Sequence, residues 1–259
     1  MPNKSLGQHW LKDRLILEAI ADCAELTPDD TVLEIGPGLG TLTSVLLSRA
    51  KQVTAVEFDP ELARKLPGQF PGKNLTVEHA DILSYDLTKL PADYKVVANV
   101  PYYITSKIVQ LLSESPNPPS LAVLLVQKEV AERIAAKPGD MSILAVAAQV
   151  YAQAELGPLV PAGYFTPPPK VDSQVVVLHR RESSQFGDND PKDFFRMVKA
   201  GFSAKRKKLR SSLSGGLGIS KQDVEVLLVS ASVSPDARAE DLDLESWQRL
   251  SHEFATLKK

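Results

Sequence analysis

A single cysteine, Cys23, stands among 259 residues, so no disulfide can form within the chain. That usage suits a reducing compartment, and a cytoplasmic protein is expected. No stretch approaches the roughly 18 apolar residues of a membrane span. The opening residues, MPNKSLGQHW, carry neither a long apolar region nor a small-residue cleavage site, so no secretory signal is expected. The four histidines, His9, His79, His179 and His252, are scattered without metal-ligand spacing, and no metal is expected. There is no internal repeat and no low-complexity tract. Net charge is only −2, which argues neither for nor against a nucleic-acid partner.

The charge distribution says more than the sum. Between Lys192 and Lys221 there are nine basic residues and one acid, Asp193, and from Gln222 to Glu245 acids outnumber the single base, Arg238. The densest part, Lys205, Arg206, Lys207, Lys208 and Arg210, reads either as a solvated helix face or as a contact to RNA phosphate. Like charges this close repel one another, which favours phosphate.

Hydrophobic content of 43% and the chain length leave room for one large domain, or a large and a small one. TVLEIG (31–36), QVTAVEFD (52–59), LTVEHAD (75–81), YKVVANV (94–100), LAVLLVQ (121–127) and SQVVVLHRR (173–181) read as strands. Helical patterns such as TLTSVLLSRA (41–50), PELARKL and TSKIVQLLSE alternate with them. Alternation at this spacing predicts an α/β fold, a mostly parallel sheet with helices on both faces. ESSQFGDNDP (182–191) reads as a linker, and only helical patterns follow it. Residues 1–185 are therefore expected to form the larger domain and 186–259 a small helical one.

EIGPGLG (34–40) joins the first strand to the first helix, where glycine lets backbone approach a ligand. In doubly wound sheets ligands bind beyond the carboxyl ends of the strands. The spacing is G-x-G-x-G rather than the dinucleotide G-x-G-x-x-G, and Pro37 removes a backbone donor that a pyrophosphate would use. Glu57 ends the second strand, 21 residues after Gly36, suited to accept from ribose hydroxyls. Asp81 ends the third, placed either as a solvated helix cap or to accept from an adenine amine. Adenosine without a clear pyrophosphate site suggests S-adenosylmethionine over NAD.

NVPYY (99–103) ends the fourth strand. Asparagine and proline are turn formers, but a second reading fits the neighbouring loop. The Asn99 side-chain oxygen and the Val100 carbonyl would hold the hydrogens of an exocyclic amine and aim its lone pair at a methyl group. Pro101 restricts Val100 to extended backbone, Tyr102 offers a flat face to a base, and Tyr103 reads as packing. Phe165, ahead of Pro167, Pro168 and Pro169, is a rigidly held aromatic suited to stacking.

Taken together, KSLGQHWL (4–11), EIGPGLG, Glu57, HADIL, NVPYY, FTPPPKVDS (165–173), GFSAKRKKLR (201–210) and RAEDLDLESWQRL (238–250) resemble the small-subunit ribosomal RNA adenine dimethyltransferases, the KsgA family. Trp10 stands where phenylalanine is common there, and His9 where asparagine is frequent. The resemblance implies a seven-stranded Rossmann-like methyltransferase sheet with a helical C-terminal domain. It implies dimethylation of N6 on two adjacent adenosines in a hairpin loop near the 3′ end of small-subunit rRNA, in an assembling particle. Gln8, His9, Leu11, Gly36, Gly38, Glu57, Asp81, Ile82 and Asn99 would line the cofactor, and Phe165 would stack the target adenine opposite Tyr102. A monomer is expected. The alternatives are a related Erm-type large-subunit enzyme and a non-catalytic assembly factor.

Overall fold

The computed structural model describes residues 9–204 and 206–257. Gln8 and Lys205, both expected site residues, lie outside the described residues. Strand β1 (Trp10–Leu11) precedes helix α1 (Arg14–Asp22), whose N-terminus is capped by Asp13 through the amide of Ile16. The alternating region then runs β2 (Thr31–Ile35), α2 (Thr41–Leu46), β3 (Gln52–Glu57), α3 (Pro60–Lys65), β4 (Leu75–His79), β5 (Lys95–Asn99), α4 (Thr105–Glu114) and β6 (Leu121–Gln127). It continues through α5 (Lys128–Ile134), α6 (Ile143–Gln149), β7 (Ala152–Val160), β8 (Phe165–Thr166) and β9 (Ser173–Arg180). Pro60 opens α3 behind an Asp59 cap, as its fixed φ favours.

Seven strands form one sheet in the order β4-β3-β2-β5-β6-β9-β7. β4, β3, β2, β5 and β6 run parallel, and β9 pairs antiparallel with β6. The order reverses between β2 and β5, the place where a doubly wound sheet opens a crevice for ligand. Val32, Val53, Val97, Val123 and Val175 pack on α1 and α2 through Leu17, Ile20, Leu42 and Leu46. The alternate residues Leu33, Val56, Val96, Leu124 and Val176 point the other way and are equally buried. Both faces are covered, which is why these strands read as continuous apolar runs.

β7 was not evident from sequence. Its burial alternates poorly, and it carries Gly157 and Pro158. Proline lacks the N–H a ladder needs and is tolerated on an edge strand, which β7 is.

Beyond Arg181 lie α7 (Pro191–Gly201), α8 (Leu209–Leu217), α9 (Lys221–Ser230) and α10 (Leu244–Leu257). Their core gathers Phe194, Met197, Leu213, Leu227 and Leu250 around the fully buried Trp247. Gly201 and Gly216 permit the close crossings. A Cβ on Gly201 would meet the Trp247 ring at 2.4 Å, and one on Gly216 would meet Ala200 at 2.7 Å.

The chain divides into two compact units, residues 1–132 with 153–180, and residues 133–152 with 181–259. A single cut near 185 is therefore not what the contacts give. The apolar helix α6 joins the core around Trp247 through Met141, Ala145, Val146 and Val150. Its burial belongs with helices that follow it by many residues, and no local pattern announces that.

Candidate active site

The site is built at the carboxyl ends of β2, β3, β4 and β5. After Ile35 the chain enters three left-handed turns at Gly36, Gly38 and Gly40, with φ of 66°, 56° and 78°, a region costly for residues with a Cβ. The three glycines have different surroundings. A Cβ on Gly40 would strike Leu66 at 2.7 Å, whereas one on Gly36 would meet nothing within 4 Å. Gly40 serves packing, and Gly36 leaves open space for a ligand.

Glu57 is 6% exposed. Its two carboxylate oxygens accept from the amides of Gly38 (3.0 Å) and Asp59 (2.8 Å). Burial pushes its pKa up, opposed by those amides. The acid at the end of β3 thus ties down the glycine loop, and each oxygen keeps a lone pair for another donor. Beside it, Phe58 is 56% exposed and lines the same cavity of about 360 Å³. Sequence reasoning passed over Phe58; its signal was an aromatic directly after a strand-end acid. Asp81 also lines the cavity and, at 3.0 Å, caps the following turn through the amide of Leu83. Capping and ligand contact are compatible, because the bond uses one oxygen of an exposed carboxylate. Ile82 is buried in the cavity wall.

Asn99 ends β5 with its carboxamide nitrogen donating to the His9 carbonyl at 3.3 Å. That bond holds the donor end and leaves the oxygen as the acceptor end of a side chain lining the cavity with Gly36 and Gly38. Val100 donates its amide to the Leu125 carbonyl at 3.1 Å, and its own carbonyl lies past the end of the ladder. Tyr102 is fixed by a 2.7 Å bond between its hydroxyl and Ser173 Oγ. Burial raises the phenol pKa, tempered by Ser173, so Tyr102 stays neutral.

Two aromatic expectations need correction. Phe165 is 3% exposed, packs in the core with Leu11 and Val175, and is not in the cavity wall. Its strand pairs with Leu11, which turns the ring inward. The ring that faces Tyr102 is His9, with centroids 5.9 Å apart and planes 20° from parallel. His9 Nδ1 donates to the Pro167 carbonyl at 2.8 Å. A base between two rings needs about 7 Å, twice the ~3.5 Å carbon contact distance, so this pair is a stack rather than an open slot. Tyr103, expected to pack, is 64% exposed and lines the cavity, as does the exposed Lys107.

Glu34, in the middle of the EIGPG motif, is 1% exposed and lines the cavity. Burial raises its pKa to about 8. The Thr43 hydroxyl and amide temper the rise without closing a well-formed bond to Oε2, and the Glu57 carboxylate adds to it. Glu34 is therefore a neutral acid at neutral pH in the ligand-free fold. The folded state keeps a proton that the unfolded chain releases near 4.5, so this stability is complete below that pH and is lost as pH climbs through about 8. Urea unfolding of ligand-free protein at pH 5 and pH 8 should show wild type losing more stability than Glu34→Gln. Between the two pKa values the difference accrues at up to about 1.4 kcal/mol for each pH unit. Parallel losses in both proteins would contradict the assignment.

Most of the described basic block is not on a helix; only Arg210 lies in α8. Arg206, Lys207 and Lys208 lie in the turn before α8, with Lys208 at its N-cap position. Lys208 pairs with Asp236, and Arg210 with Glu225. Arg206 and Lys207 are exposed and form no ion pair among the described residues. Exposed pairs contribute little, so all four cations are available to phosphate. Replacing Arg206 and Lys207 together with alanine should flatten the slope of log affinity against log salt for an rRNA fragment by about 1.5, at 0.7–0.9 per phosphate. An unchanged slope would remove this turn from the interface. Among the described residues no group of three or more His, Cys, Asp or Glu is arranged to hold a metal ion. No helix is long and apolar enough to cross a membrane, among the same residues.

Comparison with known proteins matches residues 2–256 to the ribosomal RNA adenine dimethylase family. A ribosomal RNA small subunit methyltransferase A from Dehalococcoides mccartyi (strain CBDB1) is 43% identical over 256 residues, spanning 97% of this chain and 88% of that protein. A dimethyladenosine transferase structure from Plasmodium falciparum superposes with a TM-score of 0.83 at 28% identity, over 96% of this chain and 98% of that one. The 23S rRNA methyltransferase ErmE superposes with a TM-score of 0.76 at 33% identity, over 95% and 99%.

Proposed function

The chain belongs to the ribosomal RNA adenine dimethylase family, and on that premise we propose that it transfers methyl groups from S-adenosylmethionine to N6 of two adjacent adenosines in the 3′-terminal hairpin loop of small-subunit rRNA. The observation that carries this reading is Asn99. Its nitrogen is tied to the His9 carbonyl, and its side chain shares one cavity with the glycine loop and Glu57. An acceptor oxygen at a strand end, beside the cofactor loop, suits an exocyclic amine.

The cavity fits the cofactor. Gly36 leaves space, Glu57 has lone pairs for the ribose diol, and Phe58, Asp81 and Ile82 offer an aromatic face, an acceptor and an apolar wall to adenine. His9, Leu11 and Gly38 complete the lining. When bound, S-adenosylmethionine supplies an electrophilic methyl group. The Asn99 oxygen and the Val100 carbonyl hold the two amine hydrogens. They draw the nitrogen toward a tetrahedral shape with its lone pair outward, which is positioning more than proton abstraction. Tyr102 stacks the extruded base on the face His9 now covers, so His9 shifts as the base enters. Extrusion costs a few kcal/mol, and one base–aromatic stack returns about 1–3 kcal/mol. Phe165 acts from the core by holding the strand that carries Leu11. The helices after residue 186, with the basic turn, grip rRNA backbone. The substrate is an assembling small-subunit particle, met in the cytoplasm by the protein as a monomer.

The 33% identity with ErmE supports one competing reading, a large-subunit adenosine as target. Small- and large-subunit precursor particles lacking the modification, incubated side by side with cofactor labelled in its methyl group, separate the two. Label should appear as N6,N6-dimethyladenosine in the small-subunit rRNA alone. Label confined to the large subunit would transfer the reading to the Erm type, and label in neither would end it.

A further inference from the structure

Five buried side-chain polar atoms make no hydrogen bond among the described residues. Two of them, Trp10 Nε1 and Glu34 Oε2, belong to residues of the cavity wall. Such atoms carry an uncompensated desolvation penalty unless a ligand completes them. We propose that the Trp10 indole N–H is the hydrogen-bond donor for the carboxylate of the cofactor's aminoacyl group, a role that rests on the S-adenosylmethionine reading above.

Complementary bonding argues for that group rather than another acceptor on the ligand. Trp10 sits between two pinned carbonyls. That of His9 takes the Asn99 amide, and that of Leu11 takes the Thr41 hydroxyl at 2.8 Å. The indole is thereby held over the glycine turn. A Cβ placed on Gly38 would lie 3.7 Å from both Cδ1 and Nε1. The adenosine side of the cavity, at the ends of β3 and β4, is marked by two acceptors, Glu57 and Asp81. Those acceptors suit the donors of the cofactor, its ribose hydroxyls and adenine amine, whereas the indole N–H is a donor and the carboxylate is the cofactor's one anionic acceptor. Of the other nitrogen donors in the wall, His9 and Asn99 already donate to the carbonyls of Pro167 and His9, and Lys107 is exposed. A carboxylate meeting a buried N–H forms a charge-assisted bond. A phenylalanine at position 10 would keep the ring and lose the bond.

Two ligands isolate the contact. S-adenosylhomocysteine carries the aminoacyl group, and 5′-methylthioadenosine keeps the adenosine and sulfur without it. Calorimetric titration of Trp10→Phe should show about tenfold weaker binding of the first, equal to about 1.4 kcal/mol, and unchanged binding of the second. If that variant does not fold, the wild-type protein labelled with ¹⁵N gives the same answer. It has two tryptophans, hence two indole N–H signals. The Trp10 signal should move downfield with S-adenosylhomocysteine and stay with methylthioadenosine, while Trp247 serves as the reference. Equal losses on both ligands, no loss on either, or an indole signal indifferent to the aminoacyl group would assign Trp10 to packing and overturn the proposal. Wild-type protein that binds neither ligand would overturn the cofactor reading itself, and the proposal with it.

Discussion

Asn99→Ala lowers methyl transfer by about 10³-fold, the range seen when one preorganised polar contact is removed from a reacting group. The expectation follows from the geometry at the end of β5. The substitution deletes an amide oxygen of the cavity lining and releases the His9 carbonyl from its 3.3 Å bond. The Val100 carbonyl remains, because the Val100 amide is still held by the Leu125 carbonyl and Pro101 restricts the residue to extended backbone, so an amine would be gripped by one acceptor instead of two. Single-turnover assays on unmethylated particles measure the effect. RNA affinity and its salt dependence should stay at wild-type values, since the basic turn is untouched. A variant that turned over within tenfold of wild type would remove Asn99 from catalysis. Full rescue of ribosome assembly by an inactive Asn99→Ala protein would instead favour a separate binding role.

Glu57→Ala should weaken cofactor binding by at least about 100-fold. One carboxylate serves three clients: the Gly38 amide, the Asp59 amide and, in the complex, the ribose diol. Each bond to a charged acceptor contributes about 1.5–3 kcal/mol. Losing it unties the glycine loop as well as the ligand, so the thermal midpoint of the ligand-free protein should fall too. Calorimetry with S-adenosylhomocysteine and a thermal melt test the two parts separately. Unchanged affinity would contradict the ribose assignment. Unchanged affinity with a lowered melting point would reduce Glu57 to a loop anchor.

Much of this was legible because the informative residues sit at strand ends. Gly36, Glu57, Asp81 and Asn99 each follow an apolar run, and the doubly wound rule assigns strand ends to the ligand. What was not legible depended on contacts distant in sequence. Phe165 was read from its prolines as a rigidly held ring suited to stacking, but pairing with Leu11 across more than 150 residues turns it into the core. Tyr103 and Phe58 were exposed where packing is the safer assumption for an aromatic. The basic block was read either as a helix face or as a contact to phosphate, and Arg206, Lys207 and Lys208 sit in the turn before α8. β7 hid behind Gly157 and Pro158, which only an edge position excuses.

The interleaving of the two compact units has a consequence for how the protein is made. Residues 133–152 are synthesised before anything beyond Arg181 exists, yet their apolar side chains belong to the core around Trp247. During translation α6 must wait, its greasy side uncovered, until α10 has been synthesised. N-terminal segments ordinarily fold first as they emerge; here the second unit closes only once α10 is available. A nascent chain stalled before Trp247 should accordingly recruit chaperones through a stretch that, in the finished protein, is out of their reach.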